Sequence, residues 1–320
     1  MLEVFFTVDV EVWCDGWHNI DQEFPEAFRK YIYGPTPMGD FGLSYQLKTL
    51  RDHGLESVFF VEPLFSAHFG GQALAEIVGL VCENGQEVQL HLHPEWVDES
   101  SVPLLENVHT KRQHLRYFTL EEQTTLIAKG AELLRQAGAS DINAFRAGGF
   151  AFNRDTLSAL AANGIPFDSS YNASMFGVDS GVMPGVTVVE PVECGGVYEY
   201  PMTVFNDGTG SLRHAQLTAC SFQEMEGLLW QALDSGRSTF VILSHSFELL
   251  GQSKNRPDDV VVKRFQKLCA FLDKNRDVFR MRGFHGLKPH LAQKQPAPLA
   301  SPIWKTGGRV LEQVYRRKFQ

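Results

Sequence analysis

The chain has 320 residues, 43% hydrophobic and 21% charged, a globular composition long enough for one large domain or two small ones. No run approaches the roughly eighteen consecutive apolar residues of a membrane-spanning helix, so a transmembrane segment is not expected. Net charge is −9, but residues 288–320 carry seven Lys/Arg against the single acid Glu312, leaving −15 on the rest; such an acidic body repels phosphate backbones, so nucleic acid is not an expected partner, and a neutral small-molecule or oligosaccharide substrate fits better.

The opening MLEVFFTVDVEVW reads as a buried strand, Leu2–Val8. It has no positive n-region and no small-residue cleavage site, which argues against a signal peptide and for the cytoplasm. Helix Phe41–His53, strand Ser57–Val61, helix Gln72–Glu83 and strand Glu87–His91 follow. Next come helix Leu120–Gln136, strand Ala144–Arg146, helix Arg154–Asn163, strand Phe167–Ser169 and strand Val197–Tyr200. Helix Phe222–Ser235, strand Thr239–His245, helix Asp259–Lys274 and a short strand Arg280–Phe284 complete the series. Gly54, Gly85, Gly138, Gly164 and Gly236 each follow an apolar-periodic segment as a helix stop. Thr119 with Glu122 has the spacing of a capping box.

Seven or eight such units predict an α/β fold: a distorted (β/α) barrel of parallel strands forming one domain over residues 1–287. An open doubly wound sheet is the alternative, although no GxGxxG or Walker loop follows any strand. Residues 288–308 read as a Pro/Ala-rich linker and 309–320 as a basic C-terminal helix or tail, Arg309–Lys318 being its helical part; this end is expected to be dispensable for chemistry. The five cysteines are scattered without a CxxC pair, against a disulfide framework or thiolate zinc site and again for the cytoplasm. Whether the chain forms a homo-oligomer is left open.

Chemistry-bearing residues recur at strand C-terminal ends, where barrel enzymes place their sites. The first strand runs into Asp9 and Glu11, two apart and so on one face, a costly pair in an apolar run unless paired or bound to a cation. The third ends in His91-Leu92-His93-Pro94-Glu95, two histidines on one face with a carboxylate two further on, a pattern for a hard or borderline cation. The fourth delivers Arg146 and then Gly148-Gly149, glycines that let the backbone come close to a substrate or another loop. The seventh, after five apolar residues and a serine, ends in His245.

These segments resemble, in order, the motifs of the polysaccharide deacetylases of the NodB-homology type, carbohydrate esterase family 4. Thr7–Glu11 is similar to the first motif, with its catalytic-base Asp and metal-binding acid, and His91–Glu95 falls at the second. Arg146–Phe150 is similar to the third, whose Arg orients the base. Asp168-Ser169-Ser170 resembles the DSS segment, Glu199-Tyr200-Pro201 the E-x-P strand, and Leu243-Ser244-His245 the last motif, which supplies the catalytic histidine. The WalW-like deacetylases, associated with lipopolysaccharide-core gene clusters, are the group it resembles most. Three departures stand out: the metal acid is Glu11, two residues after the base; Glu95 replaces the second histidine of motif two, with His93 as an added donor; and the third motif lacks its proline.

The resemblance implies a metal-dependent hydrolase of carbohydrate metabolism, a deacetylase that removes an N-acyl, most simply N-acetyl, group from an amino sugar. One divalent ion, zinc first with Fe, Co or Mn behind, would be held by Glu11 and His91 with His93 or Glu95. Asp9 would act as base, His245 as acid to the leaving amine, and Arg146 would aim Asp9. Two alternatives stand: a hydrolase of small non-sugar amides on the same scaffold, and an inactive glycan-binding relative. Trp13, Trp17, Trp96, Phe150, Tyr171 and Phe247 lie near the motifs and can stack on sugar faces or serve as core.

Overall fold

A computed structural model of the chain describes residues 1–106, 108, 110–292 and 294–319. In chain order its main elements are β1 (Leu2–Val10), α1 (Ile20–Phe28), α2 (Leu43–Asp52), β2 (Val58–Val61), α3 (Gly71–Glu83), β3 (Glu87–Leu92), α4 (Leu120–Gln136) and β4 (Ala144–Ala147). They continue with α5 (Arg154–Ala162), β5 (Phe167–Asp168), β6 (Val197–Glu199), β7 (Val204–Asn206), α6 (Phe222–Asp234), β8 (Thr239–His245), α7 (Asp259–Lys274), β9 (Phe279–Met281) and α8 (Ile303–Phe319). Tertiary contacts divide the chain into two compact units, one formed by Met1–Ser57, Thr203–Arg282 and Ala297–Gln320, the other by Val58–Met202 and Gly283–Pro296.

In the first unit, β1 is buried on both faces, which is why it reads as a nearly continuous apolar run. It pairs in parallel with β8, in a register that sets Asp9 opposite His245, and in parallel with β9. Helices α6 and α7 pack on each other, and α6 also packs on β8. Strand β7 pairs antiparallel with Leu212–His214 and parallel with Leu299–Ala300.

The second unit places β2, β3, β4, β5 and β6 side by side in parallel, with Val192–Cys194 antiparallel on β6. Helices α3 and α4 pack on β3, and α5 packs on α4. The capping box at α4 forms as expected: Thr119 N donates to Glu122 Oε2 at 2.8 Å, and Glu122 N donates to Thr119 Oγ1 at 3.3 Å. Gly54, Gly85, Gly138, Gly164 and Gly236 all adopt the left-handed conformation expected of helix stops.

Both units have the parallel-strand α/β character on which the expectation of a distorted (β/α) barrel rested. β1 runs two residues further than expected, so Asp9 lies within the strand and Glu11 just beyond it. Helix α1 is absent from the expected series; it tolerates Pro25 within it, and Ile20, Phe24 and Ala27 recur at helical spacing and are buried. Helix α8 begins six residues before Arg309 and runs through the Gly307-Gly308 pair. Within the stretch read as a linker, Gln295 Oε1 accepts from Val189 N at 2.7 Å and Glu190 N at 2.9 Å. Among the described residues no helix is long and apolar enough to cross a membrane.

Candidate active site

In the first unit, the Asp9–His245 register brings the C-terminal ends of β1 and β8 together. Asp9, Glu11 and His245 each offer a donor atom, and these atoms all lie within 4.8 Å of one another. Asp9 and Glu11 are buried, at 3% and 7% exposure. Trp13 Nε1 donates to Glu11 Oε2 at 2.7 Å, fixing one carboxylate oxygen.

His245 is held by a residue to which the sequence reading assigned no role. Its Nδ1 lies 2.7 Å from Glu248 Oε1, in the turn just after β8. Gln216 Nε2 also donates to that oxygen, and Gln216 Oε1 lies 2.9 Å from His214 Nε2. Burial by itself lowers the pKa of the His245 imidazole, but the Glu248 hydrogen bond and the charges of Glu248, Glu11 and Asp9 outweigh it and lift it to about 9. The result is an imidazolium at neutral pH, the form that can donate a proton.

In the second unit, His91 sits opposite Arg146 in the β3–β4 register. Its Nδ1 lies 2.8 Å from the Arg146 carbonyl oxygen. A carbonyl only accepts, so Nδ1 carries the proton and Nε2 keeps a lone pair, the arrangement by which metal-ligating histidines are oriented. The His91 and His93 rings are 4.8 Å apart at 80°, and His93 Nδ1 is 3.4 Å from Glu95 Oε2. The strand ends at Leu92, so His93 lies just beyond it, and a short 3-10 turn, Pro94–Trp96, presents Glu95. At Gly148 an added Cβ would stand 2.6 Å from His93 Cε1, so the first glycine of the pair makes room for a histidine. Phe150, in the stretch that resembles the third motif, adopts a left-handed φ of 60°, a conformation that costs a non-glycine residue about 1–3 kcal/mol.

Arg146 is fully buried; Nε donates to the Ser169 carbonyl at 3.0 Å and an Nη to Ser169 Oγ at 3.1 Å, with the guanidinium 4.3 Å from the Phe60 ring centroid. Ser170 Oγ donates to Asp168 Oδ1 at 2.5 Å and accepts from Ala147 N at 2.9 Å, so the DSS segment locks the end of β4 to the residues after β5. Asp168 and Glu199 form a buried carboxyl pair. Burial pushes Asp168 up to about 6 despite the Arg146 charge, and burial with the Asp168 charge pushes Glu199 well above its ordinary range.

The sequence reading also missed Glu62, just past β2. It is buried and accepts from Leu64 N at 2.8 Å. Burial raises its carboxyl to about 8, with His93 opposing and Glu95 reinforcing the shift. A carboxylate directly after the apolar run Val58–Val61 obeys the rule that exposed the other positions. Of the aromatics, Trp96 and Tyr171 are 1% exposed and Phe150 7%, so these are core, whereas Trp13, Trp17 and Phe247 keep exposed surface.

No family model matches the chain, and no curated protein does. Among solved structures, a protein from Mycobacterium smegmatis described as a "putative polysaccharide deacetylase" matches at 16% identity and a TM-score of 0.55, over 92% of this chain and 95% of its own. The two share a fold. A family 4 carbohydrate esterase from Streptomyces lividans in complex with acetate aligns at 15% identity and a TM-score of 0.38, over 85% of this chain and 89% of its own. A pseudoenzyme of the same family from Bacillus anthracis aligns at 11% identity and a TM-score of 0.39, over 85% and 60%. This chain's chemistry rests on its own residues.

Proposed function

We propose that this protein is a metal-dependent deacetylase that hydrolyses an N-acyl group, N-acetyl first, on an amino sugar or glycan precursor. The observation that carries the reading is the convergence of Asp9, Glu11 and His245 within 4.8 Å, with His245 held by Glu248. Asp9 is the base that takes a proton from the attacking water. His245, protonated at neutral pH, is the acid that delivers a proton to the departing amine. Buried Arg146 is assigned the task of aiming Asp9.

The donors suit a divalent cation: His91 has its Nδ1 engaged by the Arg146 carbonyl, and Trp13 orients Glu11. Glu11 and His91 would hold it with His93 or Glu95, and imidazole with carboxylate favours zinc, ahead of Fe, Co or Mn. Such an ion supplies the charge that polarises the acyl group and acidifies water. Five free cysteines fit a reducing compartment, and we place the protein in the cytoplasm.

Metal analysis of the purified protein together with acetate release from N-acetyl sugars tests the reading. Bound metal with turnover of ureides or formamides alone would move the substrate to small non-sugar amides. Bound metal with glycan binding and no turnover would make the protein an inactive relative.

A further inference from the structure

The first unit contains a cleft of about 600 Å³ that joins His245 to the C-terminal helix. Phe247, Glu248, Lys254, Asp258, Arg316 and Arg317 line it together with His245. The helix is fixed in place by its own ion pairs. Arg309, 1% exposed, reaches Glu224 at 3.1 Å and Asp207 at 3.2 Å, and Arg264 holds Glu312 at 2.5 Å. Arg316 is neutralised by Asp258 at 2.5 Å.

Lys254 and Arg317 are not neutralised. Neither has a carboxylate within ion-pair distance among the described residues. Lys254 occupies a left-handed backbone conformation, φ 52°, uncommon for lysine. Its Nζ stands 4.8 Å from the Phe247 ring centroid and 5.2 Å from that of Tyr31. A half-buried ammonium held over two rings and an exposed guanidinium line the same cleft as His245.

We propose that Lys254 and Arg317 bind an anionic oxygen group, phosphate or carboxylate, carried by the substrate, so that the basic C-terminal helix sets substrate specificity. The proposal rests on the hydrolase reading and adds the charge of the substrate to it. Guanidinium and ammonium groups facing one pocket are the donors that oxyanions require. Contacts of this kind at a partly exposed site change affinity roughly three- to tenfold each.

The test compares the full-length protein with the double variant Lys254→Ala/Arg317→Ala on three sugars: N-acetylglucosamine, its 6-phosphate, and N-acetylmuramic acid. Inorganic phosphate binding is measured in parallel by calorimetry. The expected result is a preference of roughly tenfold or more in kcat/KM for a charged sugar, lost in the double variant and regained in Lys254→Arg/Arg317→Lys. A preference for the 6-phosphate or for the carboxylate sugar identifies which oxyanion is read. Turnover of all three sugars with the same ratio in every variant would overturn the proposal while leaving the hydrolase reading intact. Turnover of none, with phosphate binding that weakens in the double variant, would sustain the oxyanion site and remove the amino-sugar deacetylase reading. Phosphate binding unchanged by the substitutions would overturn the site itself.

Discussion

Nδ1 of His245 and Oε1 of Glu248 lie 2.7 Å apart, three residues from each other, so the turn that ends β8 supplies the partner of its own terminal histidine. The carboxylate orients the ring and keeps it charged. Glu248→Gln should retain the fold and lower kcat roughly 10–100-fold. The pH profile separates orientation from charge. Because the imidazole is raised from 6.5 to about 9, the acid form and the stability of the pair are fully present below 6.5 and lost as pH rises through about 9. Without the Glu248 charge, burial dominates, and the alkaline limb of kcat/KM should move to lower pH. A limb that stays in place would show that Glu248 serves only the turn.

Asp9→Asn keeps the shape of the side chain and removes the base. Turnover should fall about 10²–10⁴-fold while metal content and melting temperature stay near those of the parent. Near-normal acetate release would take the role away from Asp9.

His91→Ala should lose the metal, since it deletes the one imidazole whose proton is fixed on Nδ1 by the Arg146 carbonyl. His93→Ala and Glu95→Ala then identify the third donor, because metal analysis should show loss in only one of them. Full metal content in His91→Ala would dismiss the donor set.

Gly148→Ala places a methyl group 2.6 Å from the His93 ring. The ring or the backbone must move, at a cost of about 1–3 kcal/mol for overpacking. Thermal unfolding should register it. If His93 is the third donor, metal affinity falls along with stability.

Removing residues 288–320 takes away Arg309 and leaves Glu224, 0% exposed, and Asp207, 2% exposed, without that cation. Breaking a buried ion pair from one side costs about 3–5 kcal/mol. The truncated chain, and Arg309→Met to a lesser degree, should melt well below the full protein, instead of behaving like a protein that has lost a solvated tail. An unchanged melting temperature would return the helix to that role.

The sequence by itself determined most of the strand and helix order, though not α1 or β7, and with it the capping box at Thr119, the glycine stops and the strand ends that carry Asp9, His91, Arg146 and His245. Each of these is set by neighbours within a few positions: alternation along a strand, a cap three residues from its partner, a glycine that alone tolerates a left-handed turn. Tertiary structure decided what depends on residues far apart in the chain. Asp9 meets His245 because β1 and β8 pair in one register, a relation 236 positions long that no local pattern encodes. His91 has its tautomer fixed by the carbonyl of Arg146, and Gly148 yields space to His93. Arg309, which reads as surface charge, is buried because Asp207 and Glu224 wait beneath it. A charged side chain announces its need for a partner in the sequence, but only the folded chain decides which partner comes within reach.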